Sequence, residues 1–227
     1  GKRTFEVLFE PTERTALQRD WSATRDTIVL DVLDNVRNRI WVATPADDGW
    51  RRQEIALPSL GAASARPVDR YASDQLFITY QDFLTPPTLF IGAARQPVEK
   101  LKSMPSFFDA SRMTVQQLEA TSRDGTRVPY FVIGPVGLKN APTMLYGYGG
   151  FEISLEPFYS GTLGRAWLAR GGVLVVANIR GGGEFGPAWH QAALKEKRQN
   201  SFDDLIAIAE DLARRGIAQP RQIGIRG

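Results

Sequence analysis

Val173-Leu-Val-Val-Ala-Asn-Ile-Arg-Gly-Gly-Gly-Glu-Phe-Gly186 sets an unbroken apolar run against a glycine cluster. A strand wetted on one face alternates apolar and polar side chains, so a run without alternation belongs to a sheet covered on both faces. Glycines directly after such a strand let the backbone turn sharply and approach a neighbour or a substrate closely. Upstream, Thr143-Met-Leu-Tyr146 and Gly147-Tyr-Gly-Gly150 repeat the same strand-then-glycine order. Leu163–Arg170, closed by Gly171-Gly172, reads as the helix between the two. Downstream, Phe202–Arg215 reads as a second helix. Ser201 is placed at its N-cap, Asp203 and Asp204 in its first turn, and Leu205, Ile206, Ile208, Ala209 and Leu212 on its apolar stripe. Ile223–Arg226 then begins another strand. Strands alternating with helices predict an α/β domain built on a mainly parallel sheet.

The first hundred residues read differently. Thr27–Val32 and Arg39–Thr44 are short β-branched runs around Asp34-Asn35, and Pro45–Gly49 reads as the next turn. Asp74–Thr79 echoes Asp26–Asp31 at an offset of 48, and Leu89–Ala93 echoes Ile40–Thr44 at an offset of 49. A period in the high forties with three or four strands per unit fits propeller blades, and alternating hydrophobics of this kind also fit a β-sandwich. Thr4–Phe9 reads as extended, and Val115–Ser122 with Val128–Ile133 as a hairpin around Asp124-Gly125.

Composition narrows the function. The 28 basic and 25 acidic side chains are interspersed, without the clustered Lys/Arg of a nucleic-acid surface. No apolar run reaches the roughly 20 residues that span a bilayer. The absence of cysteine excludes disulfides, thiol nucleophiles and Cys-ligated metals from these 227 residues. The single histidine, His190, just before the helical-looking Ala192–Lys197, reads as a structural residue, and one histidine gives no metal ligand set. Neither glycine loop carries the Gly-x-Gly-x-x-Gly or Gly-Lys-Ser/Thr pattern that cradles phosphate. The expected cofactor and metal are therefore none.

Four motifs in register carry a family resemblance. Leu145-Tyr-Gly-Tyr-Gly-Gly-Phe151, Asn178-Ile-Arg-Gly-Gly-Gly-Glu-Phe-Gly186, Trp189-His190 with Ser201-Phe-Asp-Asp204, and Ile223-Gly-Ile-Arg-Gly227 resemble successive blocks of the prolyl oligopeptidase family. That family comprises serine peptidases in which an α/β-hydrolase domain performs the chemistry and a β-propeller restricts access. The resemblance implies a partial propeller over residues 1–105, its last two blades, followed by the N-terminal half of an α/β-hydrolase domain over 106–227. It implies that Tyr148 is the oxyanion-hole donor and that Phe151 lines the pocket for the residue before the scissile bond. Arg180 and Glu184 read as ion-pairing or loop-bracing groups, and Tyr146 as core.

No Gly-x-Ser-x-Gly occurs, and the family's catalytic Ser, Asp and His fall after Gly227, so these residues alone are expected to be inactive. The expected partners are a short peptide substrate and the remainder of the same polypeptide, with no nucleic acid and no membrane. The expected location is cytoplasmic, with the periplasm left open. Glu152 stands where many prolyl oligopeptidases carry a neutral polar residue, which favours a bacterial-type member of unsettled preference. The rival is a sister branch of the oligopeptidase B or acylaminoacyl-peptidase type, against which Tyr148-Gly-Gly-Phe151 and Trp189-His190 speak for the prolyl branch. A non-catalytic binding module is the alternative outside enzymology.

Overall fold

The computed structural model describes residues 5–18, 21–58 and 60–227. The opening extended reading is corrected: Thr4 lies outside the described residues, and 5–9 form no strand. The first sheet holds β1 (Thr15–Leu17), β2 (Ser22–Ala23), β3 (Ile28–Asp34), β4 (Arg37–Ala46) and β5 (Gly49–Glu54), all antiparallel. The second holds β6 (Ala62–Pro67), β7 (Leu76–Gln81), β8 (Thr88–Gly92) and β9 (Glu99–Ser103) in chain order.

The echoes at 48 and 49 residues mark the repeat of β3 as β7 and of β4 as β8. Each sheet is a meander whose strands stay together, unlike the crossing connections of a Greek-key sandwich. The two sheets pack through Val29, Ile40 and Val42 against Ala63, Leu76, Ile78 and Tyr80. The Asp74 carboxylate joins them, accepting the Asp26 amide at 2.8 Å and the Thr24 hydroxyl at 2.6 Å. These are successive propeller blades.

Asn35 and Val36 close the β3–β4 hairpin with φ of 48° and 66°, the sign a two-residue hairpin turn requires. A β-branched residue is strained there. Burial offsets the strain: Val36 inserts fully among Phe83, Phe131 and Val176. Beside it, Arg37 donates to Gln117, whose amide donates to the Asn35 carbonyl at 2.7 Å. The turn of one blade is thus built into the core of the α/β part.

The third sheet has the order β10 (Met113–Thr121), β11 (Arg127–Pro135), β13 (Val173–Ala177), β12 (Thr143–Gly147), β14 (Ile223–Arg226). Only the pairings of β12 with β13 and with β14 are parallel; β10–β11 and β11–β13 are antiparallel. The sheet is therefore mixed, because the hairpin at Asp124-Gly125 pairs directly onto β13. All five residues of β13 are buried, as its unbroken apolar run requires. One face packs on α3 (Gln199–Arg214) through Leu145, Val175, Ala207, Ile208 and Leu212. The other packs on Phe83, Phe108, Leu168 and Val36.

α1 (Gly161–Ala166) starts at Ser160, whose hydroxyl accepts the Leu163 amide, and the following 3-10 turn ends on Gly171 at φ 84°. His190 lies within α2 (Pro187–Gln191), not before a helix, and the helical reading of 192–197 reduces to a 3-10 turn at Lys195–Lys197. α3 begins two residues before Ser201, so Ser201 is not its cap. Its hydroxyl instead donates to the Arg180 carbonyl.

Candidate active site

The register of the parallel strands decides where chemistry can occur. Gly147 lies opposite Ala177, and Tyr146 opposite Arg226, so β12, β13 and β14 end at one level. In open α/β sheets, ligands bind outside such carboxyl ends. The loop after β12 carries Tyr148 and Phe151; the loop after β13 carries Asn178 to Gly186.

Backbone contact locks the two loops together. Gly149 (φ 58°) and Gly181 (φ 98°) are left-handed, and a Cβ on Gly181 would stand 2.2 Å from the Gly149 carbonyl oxygen. A Cβ on Gly183 would stand 2.2 Å from that of Glu152. The Arg198 guanidinium donates to the Gly149 carbonyl. The Glu152 amide reaches the Gly181 carbonyl at 3.3 Å, and His190 Nδ1 lies 2.6 Å from the same oxygen. His190 therefore braces backbone, in keeping with a structural role.

Above this base, Phe151 and Glu152 are consecutive left-handed residues with φ of 53° and 56°. The turn drives the Phe151 ring outward to 83% exposure, which removes core packing as its role. The ring stacks beside that of Tyr148, with centroids 6.4 Å apart and planes 25° apart. Tyr148 is half-buried, and its hydroxyl has no hydrogen-bond partner among the described residues. Two aromatic faces with one free phenolic donor thus open at the carboxyl ends of the strands. Tyr146 points to the side, under the Arg226 guanidinium at 5.4 Å. It borders a cavity of about 810 Å³ shared with Ser64, Gln81 and Phe158.

The second loop has two differently held ends. Arg180 is buried and grips Asp204 with its amide at 3.0 Å and its guanidinium at 2.6 Å. The same guanidinium reaches Asp124 on the hairpin turn at 2.5 Å and Ser122 at 3.2 Å. The Arg180 hydrogen bond holds the Asp124 carboxyl down at about 2. Glu184 is 1% exposed and has no cationic partner among the described residues. Its Oε1 accepts the Leu155 amide at 3.0 Å and the Asn178 amide at 3.4 Å, while Oε2 is buried without a partner. Burial pushes this carboxyl up to about 7.

The structure brings Tyr148 and Phe151 together, and Arg180 is the bracing group its sequence suggested. Asn178, Arg198 and Asp124 were not singled out. Their partners lie 23, 49 and 56 residues away, so no local pattern announces them. Among the described residues, no cluster of three or more His, Cys, Asp or Glu side chains could hold a metal ion. No helix there is long and apolar enough to cross a membrane.

Comparison with known proteins adds independent findings. The family model described as "Prolyl oligopeptidase, N-terminal beta-propeller domain" matches residues 1–101, and that described as "Prolyl oligopeptidase family" matches 160–227. An uncharacterized peptidase, y4nA, of Sinorhizobium fredii is 43% identical over 97% of the chain and 31% of its own length. The structure of a post-proline cleaving enzyme from Rickettsia typhi superposes with a TM-score of 0.86 at 33% identity, over 100% of this chain and 33% of that one. Oligopeptidase B from Leishmania major superposes with a TM-score of 0.80 at 25% identity, over 94% and 32%. The chain spans about a third of the length of these relatives.

Proposed function

Because this chain belongs to the prolyl oligopeptidase family, we propose that it contributes the propeller blades and the first half of the hydrolase domain, divided near residue 105, to a serine-type oligopeptidase. The full-length protein would hydrolyse short peptides after proline through an acyl-enzyme, with the nucleophile, acid and histidine supplied outside these residues. The carrying observation is the Tyr148–Phe151 pair at the carboxyl ends of β12 and β13.

A phenol held on a loop of interlocked glycines offers a donor whose position is fixed before reaction. Such a donor acts on charge that develops only in the transition state. The exposed face of Phe151 suits a flat, apolar proline ring beside it. Gly227 lies beside the Gly147 carbonyl, so a residue following β14 would emerge next to Tyr148.

In the full-length protein, Tyr148→Phe should lower kcat by about 10²–10³-fold with KM little changed. Steady-state kinetics on a Pro-linked reporter checks this, and an unchanged kcat would remove Tyr148 from the oxyanion hole.

A second reading has its own observation. Glu152 lines a cavity of about 840 Å³ together with Phe9 and Phe185. A carboxylate that follows Phe151 directly in the chain and faces a cavity favours a basic substrate side chain, as in a sister-branch peptidase. Faster cleavage of an Arg-linked than a Pro-linked reporter by the full-length protein would select that reading.

A further inference from the structure

The bend that presents Phe151 returns to the fold through Leu155, where both backbone polar groups are captured. Asn178 donates to the Leu155 carbonyl at 2.9 Å, and the Leu155 amide donates to Glu184 Oε1 at 3.0 Å. Asn178 also reaches Glu184, so the strand end of β13 and the exit of the glycine loop hold one residue between them. Space for the carboxyl exists because Gly182 has no side chain: a Cβ there would lie 2.1 Å from Glu184 Oε2 and 2.9 Å from the Ile153 carbonyl oxygen.

The charges around this carboxyl do not neutralise it. Arg180, at the loop's start, is committed to Asp204 and Asp124. Arg14 lies over the Phe185 ring and pairs with Glu119. His190 in α2 is turned to the Gly181 carbonyl, and the remaining nearby charge, Glu156, is another carboxylate. The two N–H donors on Oε1 favour the anion, but burial without a cation costs it more than they return, so the neutral acid is the better-housed form.

We propose that Glu184 is a positioning residue: acting as a neutral carboxylic acid, it seats Leu155 and thereby fixes the bend that carries Phe151 beside Tyr148. Ionisation places an uncompensated charge under the bend and loosens it. Burial has already moved this ionisation to about neutral pH, so the seat weakens across a range in which the fold persists. The inference rests on the peptidase reading only for its catalytic consequence; the seating itself is a property of this chain.

The test is hydrogen–deuterium exchange over residues 151–156 of this chain, between pH 4 and 9, expressed as protection relative to intrinsic rates. In the wild type, protection falls by up to about tenfold for each pH unit between about 4.5, the usual glutamate value, and about 7, the slope of one proton, and levels off above that. In E184Q, which keeps the shape and cannot ionise, it stays flat. Parallel curves in wild type and E184Q overturn the proposal. So does E184Q unprotected at every pH, which would mean that the anion is the working form.

The companion measurement is KM for the Pro-linked reporter in the full-length protein, which should rise along the same titration in the wild type alone. A KM that ignores the titration while the exchange follows it overturns the positioning role. If no peptide reporter is cleaved at any pH but the exchange result holds, the peptidase reading fails and the seating stands.

Discussion

The two ends of the second glycine loop are held by opposite electrostatics. At its start, Arg180 is buried with its charge fully answered by Asp204 and Asp124. At its exit, Glu184 is equally buried and answered by no opposite charge among the described residues. One end gains from being ionic and the other from being neutral, although only three residues separate them and both hold the same loop on the same strand end. What distinguishes them is the partner each meets across the fold. Two carboxylates converge on Arg180 from the hairpin and from α3, while Glu184 meets only an amide side chain and a backbone N–H.

Breaking the charged end should give the largest effect. Asp204→Ala strands a buried guanidinium and should cost about 3–5 kcal/mol of stability, seen as a lowered denaturation midpoint. The double change Arg180→Met with Asp204→Leu should recover much of that loss, because it removes both charges together.

The neutral end is tested by pH. The Glu184 carboxyl is raised in the folded state, so its contribution is fully present below about 4.5, the usual glutamate value, and is lost as pH rises through about 7. That change amounts to about 3 kcal/mol and should be missing from the pH profile of E184Q in chemical denaturation.

The smallest effect belongs to Asp124, whose carboxyl is depressed. Its contribution is present above about 3.8 and is lost as pH falls through about 2. Half-exposed as it is, Asp124→Asn should cost no more than about 1 kcal/mol at neutral pH, with a shallower loss of stability in acid than the wild type. Stability that responds to acid and base in the same sense for both variants would erase the contrast between the two ends.

Much of this fold was legible because it rests on local patterns. The Asp124-Gly125 turn, the apolar β13 and the 48-residue echo of the blades are all short-range signals, and each marks an element that is present. The helix start was misread for a physical reason: Ser201 has cap chemistry, but its hydroxyl is taken by the Arg180 carbonyl, so α3 begins at Gln199 without a side-chain cap. The mixed sheet was missed because hairpin and β13 pair across 41 to 47 residues. At the site, the glycine loops announced themselves. The exposure of Phe151 did not, because it depends on two consecutive left-handed residues, neither of them glycine. Glu184 read as an ion-pairing or loop-bracing group; it braces, but through the Leu155 amide and Asn178 rather than through an ion pair among the described residues.

For anyone wishing to alter what this protein recognises, the interlocked glycines divide the site into fixed and variable letters. Gly149, Gly181 and Gly183 define the position of Tyr148 by the atoms they lack, so a library randomising them would return mostly misplaced loops. Glu152 and Ile153 face a cavity and are free of such contacts at their side chains. A diversification scheme should therefore hold the glycines and the left-handed position 152, and vary the side chain at 153, which carries neither constraint.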